Sequence, residues 1–211
     1  MDSNSLIKIP GYSYNEYLLV LTPHEDLRSK IMKVKEDFFE KYKLTGSMGH
    51  PHLTLAKFIQ FEIREERLIN RLKTIAMGYH PFKVELKDYG SFPAHTLFIN
   101  VESKQQVQNL ARELRAAQQL MTLNKDRKPH FINDPHLIIA GKLLPWQYEK
   151  AWLDYSHRHF TGRFIADSML LLKRRVVAQK DGNHPVGKYQ IAGRFDFMNL
   201  PVTTRQGELF M

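Results

Sequence analysis

The sequence predicts an α+β fold in which two pseudo-symmetric lobes, each an antiparallel sheet with flanking helices, face each other across a central cleft. Three observations lead to this prediction. Short apolar runs typical of buried strands alternate with longer segments whose apolar residues recur at helical spacing. The order of these elements occurs twice along the chain. The two copies share a motif that aligns without a gap, Pro51-His52-Leu53-x-x-Ala56 and Pro135-His136-Leu137-x-x-Ala140.

The first copy begins with an apolar run at residues 17–21, which we expect to form a short buried strand. A helix is predicted over residues 25–43, because apolar side chains share one face and charged ones the other. The residues of the apolar face are Leu27, Ile31, Val34 and Phe38. Gly46 and Gly49 then end the helix. A motif strand (52–58), a second helix (about 64–77) and a third strand (82–87) complete this copy.

The second copy repeats the same order of elements. It has a strand at 96–101, a helix with Ser103 as its expected N-cap, and a polar stretch over 124–133. The apolar residues of that helix are Val107, Leu110, Ala111, Leu114 and Ala117. A motif strand (136–140), a helix (about 146–160) and a strand (164–173) follow. We expect residues 1–211 to form one two-lobed domain built from a duplicated strand-helix-strand unit, with a last strand at 189–197 and a tail of no assigned role.

The composition limits the classes of protein to consider. Hydrophobic content of 43% and charged content of 25% are ordinary for a globular protein, and the net charge of +9 favours polyanionic partners such as RNA, nucleotides or membrane surfaces. The chain has no cysteine, which excludes disulfides and thiolate metal sites. No apolar run approaches the ~20 residues that span a bilayer. The first five residues lack the pattern of a secretion signal, so the expected location is the cytoplasm. The sequence does not give the oligomeric state, and a monomer is the default expectation.

Two histidines stand at equivalent positions of the two copies, at the start of each motif strand. Side chains alternate along a strand, so His52 shares a face with Thr54, and His136 shares one with Ile138. If a pseudo-twofold relates the lobes, both imidazoles face a common space. Since histidine has a pKa of about 6.5, one ring can accept a proton while the other donates one near neutral pH. This arrangement predicts acid–base chemistry on a phosphate ester, with the Thr54 hydroxyl donating to a phosphate oxygen.

The motif His52-Leu53-Thr54-Leu55 resembles the H-x-[T/S]-x motif of the two-histidine phosphoesterase superfamily, which includes 2′-5′ RNA ligase-like proteins and RNA 2′,3′-cyclic phosphodiesterases. The likeness extends over about residues 17–173, including Thr22-Pro23 before the first helix and Gly90-Ser91-Phe92-Pro93 before a strand. The resemblance implies that His52 and His136 are the acid/base pair and that Thr54 contacts the phosphate. It also implies a reaction without metal or cofactor on 2′,3′-cyclic phosphates or 2′-5′ linkages in RNA or nucleotides.

The second motif departs from this pattern, because Ile138 stands where a threonine or serine is expected. An isoleucine cannot donate to a phosphate oxygen, and losing one such donor typically lowers the rate by ~10²–10³. The activity is therefore expected to be weakened or redirected to a different substrate, or the site to have become one for binding alone. Lys57 and Lys142, near the ends of the two motif strands, are further candidates to attract phosphate, although the alignment offsets them by one residue.

Other patterns leave alternative functions open. His50-Pro51-His52 has a spacing that can bind zinc, but no acidic residue or third histidine lies close in sequence. Trp146, Trp152 and Tyr155 are expected to face the core rather than stack on bases, and residues 173–175 to be a solvated strand end rather than part of an RNA-binding surface. Three classes therefore remain: an enzyme, a nucleic-acid-binding module and an interaction protein.

Overall fold

The computed structural model describes residues 12–46, 48–179 and 182–200. The first five residues, on which the prediction of no secretion signal depends, lie outside the described residues. The tail beyond residue 200 lies outside them too. The helices are α1 (Glu25–Lys41), α2 (Glu65–Gly78), α3 (Lys104–Glu113), α4 (Gln118–Met121) and α5 (Pro145–Tyr155). The strands are β1 (Tyr14–Leu21), β2 (Leu53–Phe61), β3 (Phe82–Phe92), β4 (Thr96–Val101), β5 (His130–Phe131), β6 (His136–Gly141), β7 (Thr161–Ala166), β8 (Ser168–Gln179) and β9 (Gly182–Asp196).

The strands form two sheets in which all paired neighbours are antiparallel. One sheet has five strands in the order β5-β2-β1-β8-β9, and the other has four in the order β6-β4-β3-β7. Each motif strand pairs with the opening strand of its own copy, β2 with β1 and β6 with β4. The predicted α+β class with two related lobes is confirmed.

The third strands of the two copies are exchanged between the sheets, which the sequence did not predict. β3 belongs to the first copy, yet it pairs with β4 and β7 of the second. The predicted strand over 164–173 is in fact two strands, and β8 crosses to pair with β1. The break falls at Asp167, whose backbone carbonyl accepts a hydrogen bond from the Phe197 N–H at 2.7 Å. Neither lobe is therefore formed by one half of the chain alone.

Several predicted boundaries also change. The polar stretch over 124–133 contains β5, which pairs with β2. The predicted helix ending near Ala117 divides into α3, a 3₁₀ segment (Leu114–Ala117) and α4. Ser103 precedes α3 but makes no side-chain cap. Its hydroxyl instead accepts a hydrogen bond from the Glu85 N–H at 2.9 Å, so it joins α3 to β3.

The helices pack on the sheets across the boundary between the two copies. α1 of the first copy contacts β6 and β7, and α3 of the second contacts β2. One continuous apolar core results, joining residues of both sheets such as Tyr17, Leu55 and Leu137. None of the helices among the described residues has the length and apolar character needed to cross a bilayer.

Candidate active site

The two motif strands meet where the two sheets come together. β6 is an edge strand, β2 has only the two-residue β5 beyond it, and β2 and β6 contact each other. A cleft of about 760 Å³ opens at this junction, lined by parts of α1, the loop that follows it and both motif strands. Its walls therefore come from both halves of the chain.

Most of the residues selected from the sequence meet in this cleft. His52, Thr54, His136, Ile138 and Lys142 all line it. The structure places Lys57 elsewhere, with its ammonium 3.2 Å from the carboxylate of the buried Glu16. Lys57 is therefore engaged in an ion pair outside the cleft, whereas Lys142 is available to a ligand in the cleft.

A β-bulge follows each histidine at the same distance along its strand. Val20 pairs with Thr54 and Leu19 with Ala56, so Leu55 is the extra residue of β2. Phe98 pairs with Ile138 and Leu97 with Ala140, so Ile139 is the extra residue of β6. Bulges bend a strand and redirect its side chains. The matching bulges give the two histidines equivalent local settings.

The His52 ring is held by the backbone immediately before it. Its Nδ1 lies 2.8 Å from the carbonyl oxygen of His50. Because a carbonyl oxygen only accepts, Nδ1 carries the proton and donates it. Nε2 is then the free nitrogen of the neutral ring, as a general base requires.

His136 repeats this arrangement and has an additional aromatic support. Its Nδ1 donates to the carbonyl oxygen of Asp134 at 2.7 Å, again two residues earlier. The rings of Phe92 and Phe98 each lie 4.9 Å from the imidazole, centroid to centroid. Packing and hydrogen bonding together fix the orientation of this ring, and again leave Nε2 as the nitrogen available for proton transfer.

The environment lowers the pKa of His52. Burial is the main cause, since it disfavours the imidazolium. The hydrogen bond to the His50 carbonyl acts in the opposite direction, and the nearby positive charge of Lys35 lowers the pKa further. The neutral form of His52 is therefore favoured near pH 7.

The second residue of interest in each motif also lies where the alternation predicts. Thr54 is half-buried in the cleft and can present its hydroxyl to a ligand. Ile138 lines the same cleft with 45% of its surface exposed. An isoleucine in such a position leaves the second motif without a donor, as the sequence indicates.

Lys35, which is not among the site residues predicted from the sequence, lines the cleft beside His52. The prediction for α1 put charged residues on the solvent side, but Lys35 is buried on the apolar face with Leu27, Ile31 and Phe38. The spacing contained a signal, because position 35 follows Ile31 by four residues and precedes Phe38 by three. A lysine at that position interrupts the apolar face.

The loop after α1 and the start of α5 also contribute to the cleft in ways the sequence did not indicate. Met48 and His50 line it from the loop. Gln147 lines it from α5, and its amide bonds to the Tyr42 carbonyl (3.2 Å) and the Leu144 N–H (3.0 Å). Gln147 therefore joins α5 to the end of α1.

The alternative constellations are not assembled as the sequence suggested. No group of three or more metal-binding side chains is found among the described residues, and the His52 Nδ1 is already bonded to the His50 backbone.

Residues 173–175 are not simply a solvated strand end, because Lys173 and Arg174 form half-buried ion pairs at 2.8 and 2.6 Å. The prediction for the aromatic residues is correct for Trp152 and Tyr155, which pack in the core, and wrong for Trp146, which is 56% exposed.

Comparison with solved structures identifies the fold. E. coli LigT complexed with 3′-AMP matches with a TM-score of 0.59 at 12% identity, over 88% of this chain and 98% of LigT. A structure described as a phosphoesterase matches with a TM-score of 0.57 at 14% identity, over 87% and 98%. LigT complexed with NADP⁺ gives 0.53 at 14% identity, over 88% and 99%. The comparison with curated proteins finds no match.

The protein therefore has the LigT-like fold of the two-histidine phosphoesterases. The sequence model of the 2′-5′ RNA ligase superfamily matches residues 23–178. The chain belongs to this superfamily, and the resemblance drawn from the two motifs is confirmed.

Proposed function

We propose that this protein is a metal-independent phosphodiesterase that opens 2′,3′-cyclic phosphates or 2′-5′ linkages in RNA or nucleotides, with His52 and His136 as its acid–base pair. One observation carries the proposal. Both imidazoles line the same cleft, and each has its Nδ1–H bonded to the carbonyl oxygen two residues earlier. Acid–base catalysis needs two such groups held ready in one space.

The lowered pKa of His52 supports its role as the base in the opening direction. In that step His52 Nε2 takes a proton from water, whose oxygen attacks the phosphorus of a 2′,3′-cyclic phosphate. The bond from phosphorus to one ribose oxygen breaks, and His136 donates a proton to that leaving oxygen. The product is a phosphate monoester, and the roles of the two histidines are reversed in the opposite direction.

The contents of the cleft support an anionic nucleotide as the ligand. Thr54 provides a hydroxyl and Lys142 a positive charge for phosphate oxygens. No aspartate or glutamate is found among the described residues that line the cleft. Its volume of about 760 Å³ lies within the ~300–1,000 Å³ of small-molecule sites. The LigT structures of the same fold hold 3′-AMP, phosphate and ATP.

The test is hydrolysis of 2′,3′-cyclic AMP and of a short RNA ending in a 2′,3′-cyclic phosphate. His52→Ala and His136→Ala should each lower kcat/KM by about 10²–10⁴. His159→Ala is a suitable control, since His159 is exposed and its ring bonds to Asp88 at 3.2 Å. A chelator should leave the wild-type rate unchanged. Equal rates for the wild type and His52→Ala would refute the proposal.

The exposed Ile138 favours a second candidate, an RNA- or nucleotide-binding protein whose catalytic activity has been lost. In that case RNA affinity would fall steeply with salt, and His52→Ala would not change it. Fluorescence anisotropy with a labelled RNA, run beside the hydrolysis assay, separates the two functions.

A further inference from the structure

Lys35 occupies a buried position, where a charged side chain costs free energy of folding. It lies on the buried face of α1, one turn after Ile31, and only 4% of its surface is exposed. Lysines are almost never this buried unless a carboxylate or several acceptors compensate the ammonium. A compensating group should therefore be found close to its Nζ.

Among the described residues, no carboxylate or hydrogen-bond acceptor lies within bonding distance of Lys35. Every side-chain nitrogen or oxygen in this part of the chain that is closed off from solvent does have a partner. Since the Lys35 ammonium has no such partner, it cannot be closed off from solvent. It therefore reaches open space, and the space that Lys35 lines is the cleft of the two histidines. The stem of Lys35 is buried in the protein, and its charge opens into the cleft.

Among the described residues that line the cleft, none neutralises this charge. The described lining includes Lys35 and Lys142 but no acidic residue. A positive site of this kind is complementary to an anion, and a phosphate supplies both charge and several acceptor oxygens.

Lys35 and Ile138, the residue that replaces the hydroxyl of the second motif, line the same cleft. α1 contacts β6, the strand that bears Ile138 in place of a hydroxyl donor. The charge of Lys35 also lowers the pKa of His52, which indicates that its ammonium lies near the first motif as well. A donor on α1 is therefore available to the phosphate that both motifs would flank.

We propose that Lys35 binds the non-bridging oxygens of the substrate phosphate and stabilises the charge that develops there, in place of the hydroxyl absent at Ile138. This inference rests on the phosphodiesterase function proposed for the cleft. Lys35 forms no covalent bond and transfers no proton. Its side chain remains protonated through the reaction and acts as a fixed positive charge.

The experiment compares Lys35→Met with Lys33→Met, an exposed lysine of the same helix. Two quantities are measured: kcat/KM for 2′,3′-cyclic AMP, and the affinity for inorganic phosphate by calorimetry in a buffer without phosphate. Lys35→Met should lower kcat/KM about 100-fold and phosphate affinity roughly tenfold or more. Lys33→Met should stay within about twofold of the wild type in both.

Ile138→Thr in the two backgrounds distinguishes a phosphate contact from a structural role. If Lys35 and a hydroxyl at position 138 serve the same oxygens, the gain from Ile138→Thr should be larger in Lys35→Met than in the wild type. Equal gains, or a lower thermal midpoint for Lys35→Met, would overturn the proposal.

Failure of the proposed function can be told apart from failure of this inference. If the wild type turns over and Lys35→Met matches it, Lys35 has no role and the function stands. If the wild type does not turn over, the function fails, and phosphate affinity alone decides about Lys35. A drop in Lys35→Met then supports the contact, and an unchanged or unmeasurable affinity overturns it.

Discussion

Replacing Lys35 with methionine should make the protein more stable. Burial lowers the pKa of the Lys35 ammonium to about 8, against a usual 10.5. Since each tenfold change in proton affinity corresponds to about 1.4 kcal/mol, the partial desolvation of this charge at the cleft wall costs up to roughly 3 kcal/mol at neutral pH. Methionine has a similar length and no charge, so Lys35→Met should recover most of this free energy of unfolding.

The gain should depend on pH in a defined way. Below pH 8 the lysine is protonated in both the folded and the unfolded chain, and the full cost is present. Between about pH 8 and 10.5 the folded protein releases this proton while the unfolded chain keeps it. The stability contributed by this site in the wild type therefore rises with pH. The advantage of Lys35→Met should shrink over the same interval and be nearly absent above it.

Urea unfolding followed by circular dichroism at pH 7 and at pH 10.5 measures this difference. The buffer must lack phosphate, because a bound anion would stabilise the wild type selectively. Lys33→Met should leave the free energy of unfolding unchanged at both pH values, because Lys33 is already exposed. A Lys35→Met variant that is less stable at pH 7, or whose advantage is the same at both pH values, would refute the reasoning.

Three further predictions concern the second motif and the residues that support the site. Ile138→Thr should raise kcat for 2′,3′-cyclic AMP because it restores a donor, but by less than the ~10²-fold that such a donor supplies alone, since Lys35 already serves the same oxygens; a lower kcat would argue against a phosphate at this position. Gly90→Ala should lower stability by about 1–3 kcal/mol and also lower kcat, because the new Cβ would lie 2.5 Å from the Phe98 ring that packs against His136; thermal unfolding and steady-state kinetics check the two effects. Glu16→Gln should cost about 2 kcal/mol at pH 7, since burial, which raises the pKa of this carboxyl, is outweighed by its hydroxyl and cationic partners, which hold it below its usual value. That difference should decrease as acid protonates the wild-type carboxylate, and urea unfolding at pH 7 and pH 3 tests it.

The elements of this fold are predictable from the sequence, but their assignment to sheets is not. Apolar runs and helical periodicity identify β1, α1, β4 and α5 because these signals are local. The exchange of β3 and β8 depends on which strands pair, which is a contact between distant residues. Residues 164–173 look like one strand because the turn between the two sheets occupies a single residue, Asp167.

The same limit applies to the candidate site. His52 and His136 could be found because the repeat places them at equivalent positions, and a repeat is visible in sequence. Lys35 has no counterpart in the repeat, and a lysine in an amphipathic helix is normally exposed. The spacing places position 35 on the apolar face of α1, but whether that face is covered there depends on how α1 packs against β6, a contact between distant residues. Lys57 is the opposite case, a predicted site residue that lies outside the cleft. Its ion pair with Glu16 is a contact between distant residues, which the sequence does not reveal.

The packing of α1 on the second motif strand explains how the proposed chemistry tolerates the loss of a hydroxyl at Ile138. Here α1, from the first half, packs on β6, so a residue of the first half lies within reach of the second motif. The charge of Lys35 also lowers the pKa of His52, so a single charge on α1 faces both motifs. The packing of α1 on β6 therefore allows a change in one motif to be compensated by a residue far away in the chain, and the coupling between Lys35 and Ile138 measures that compensation.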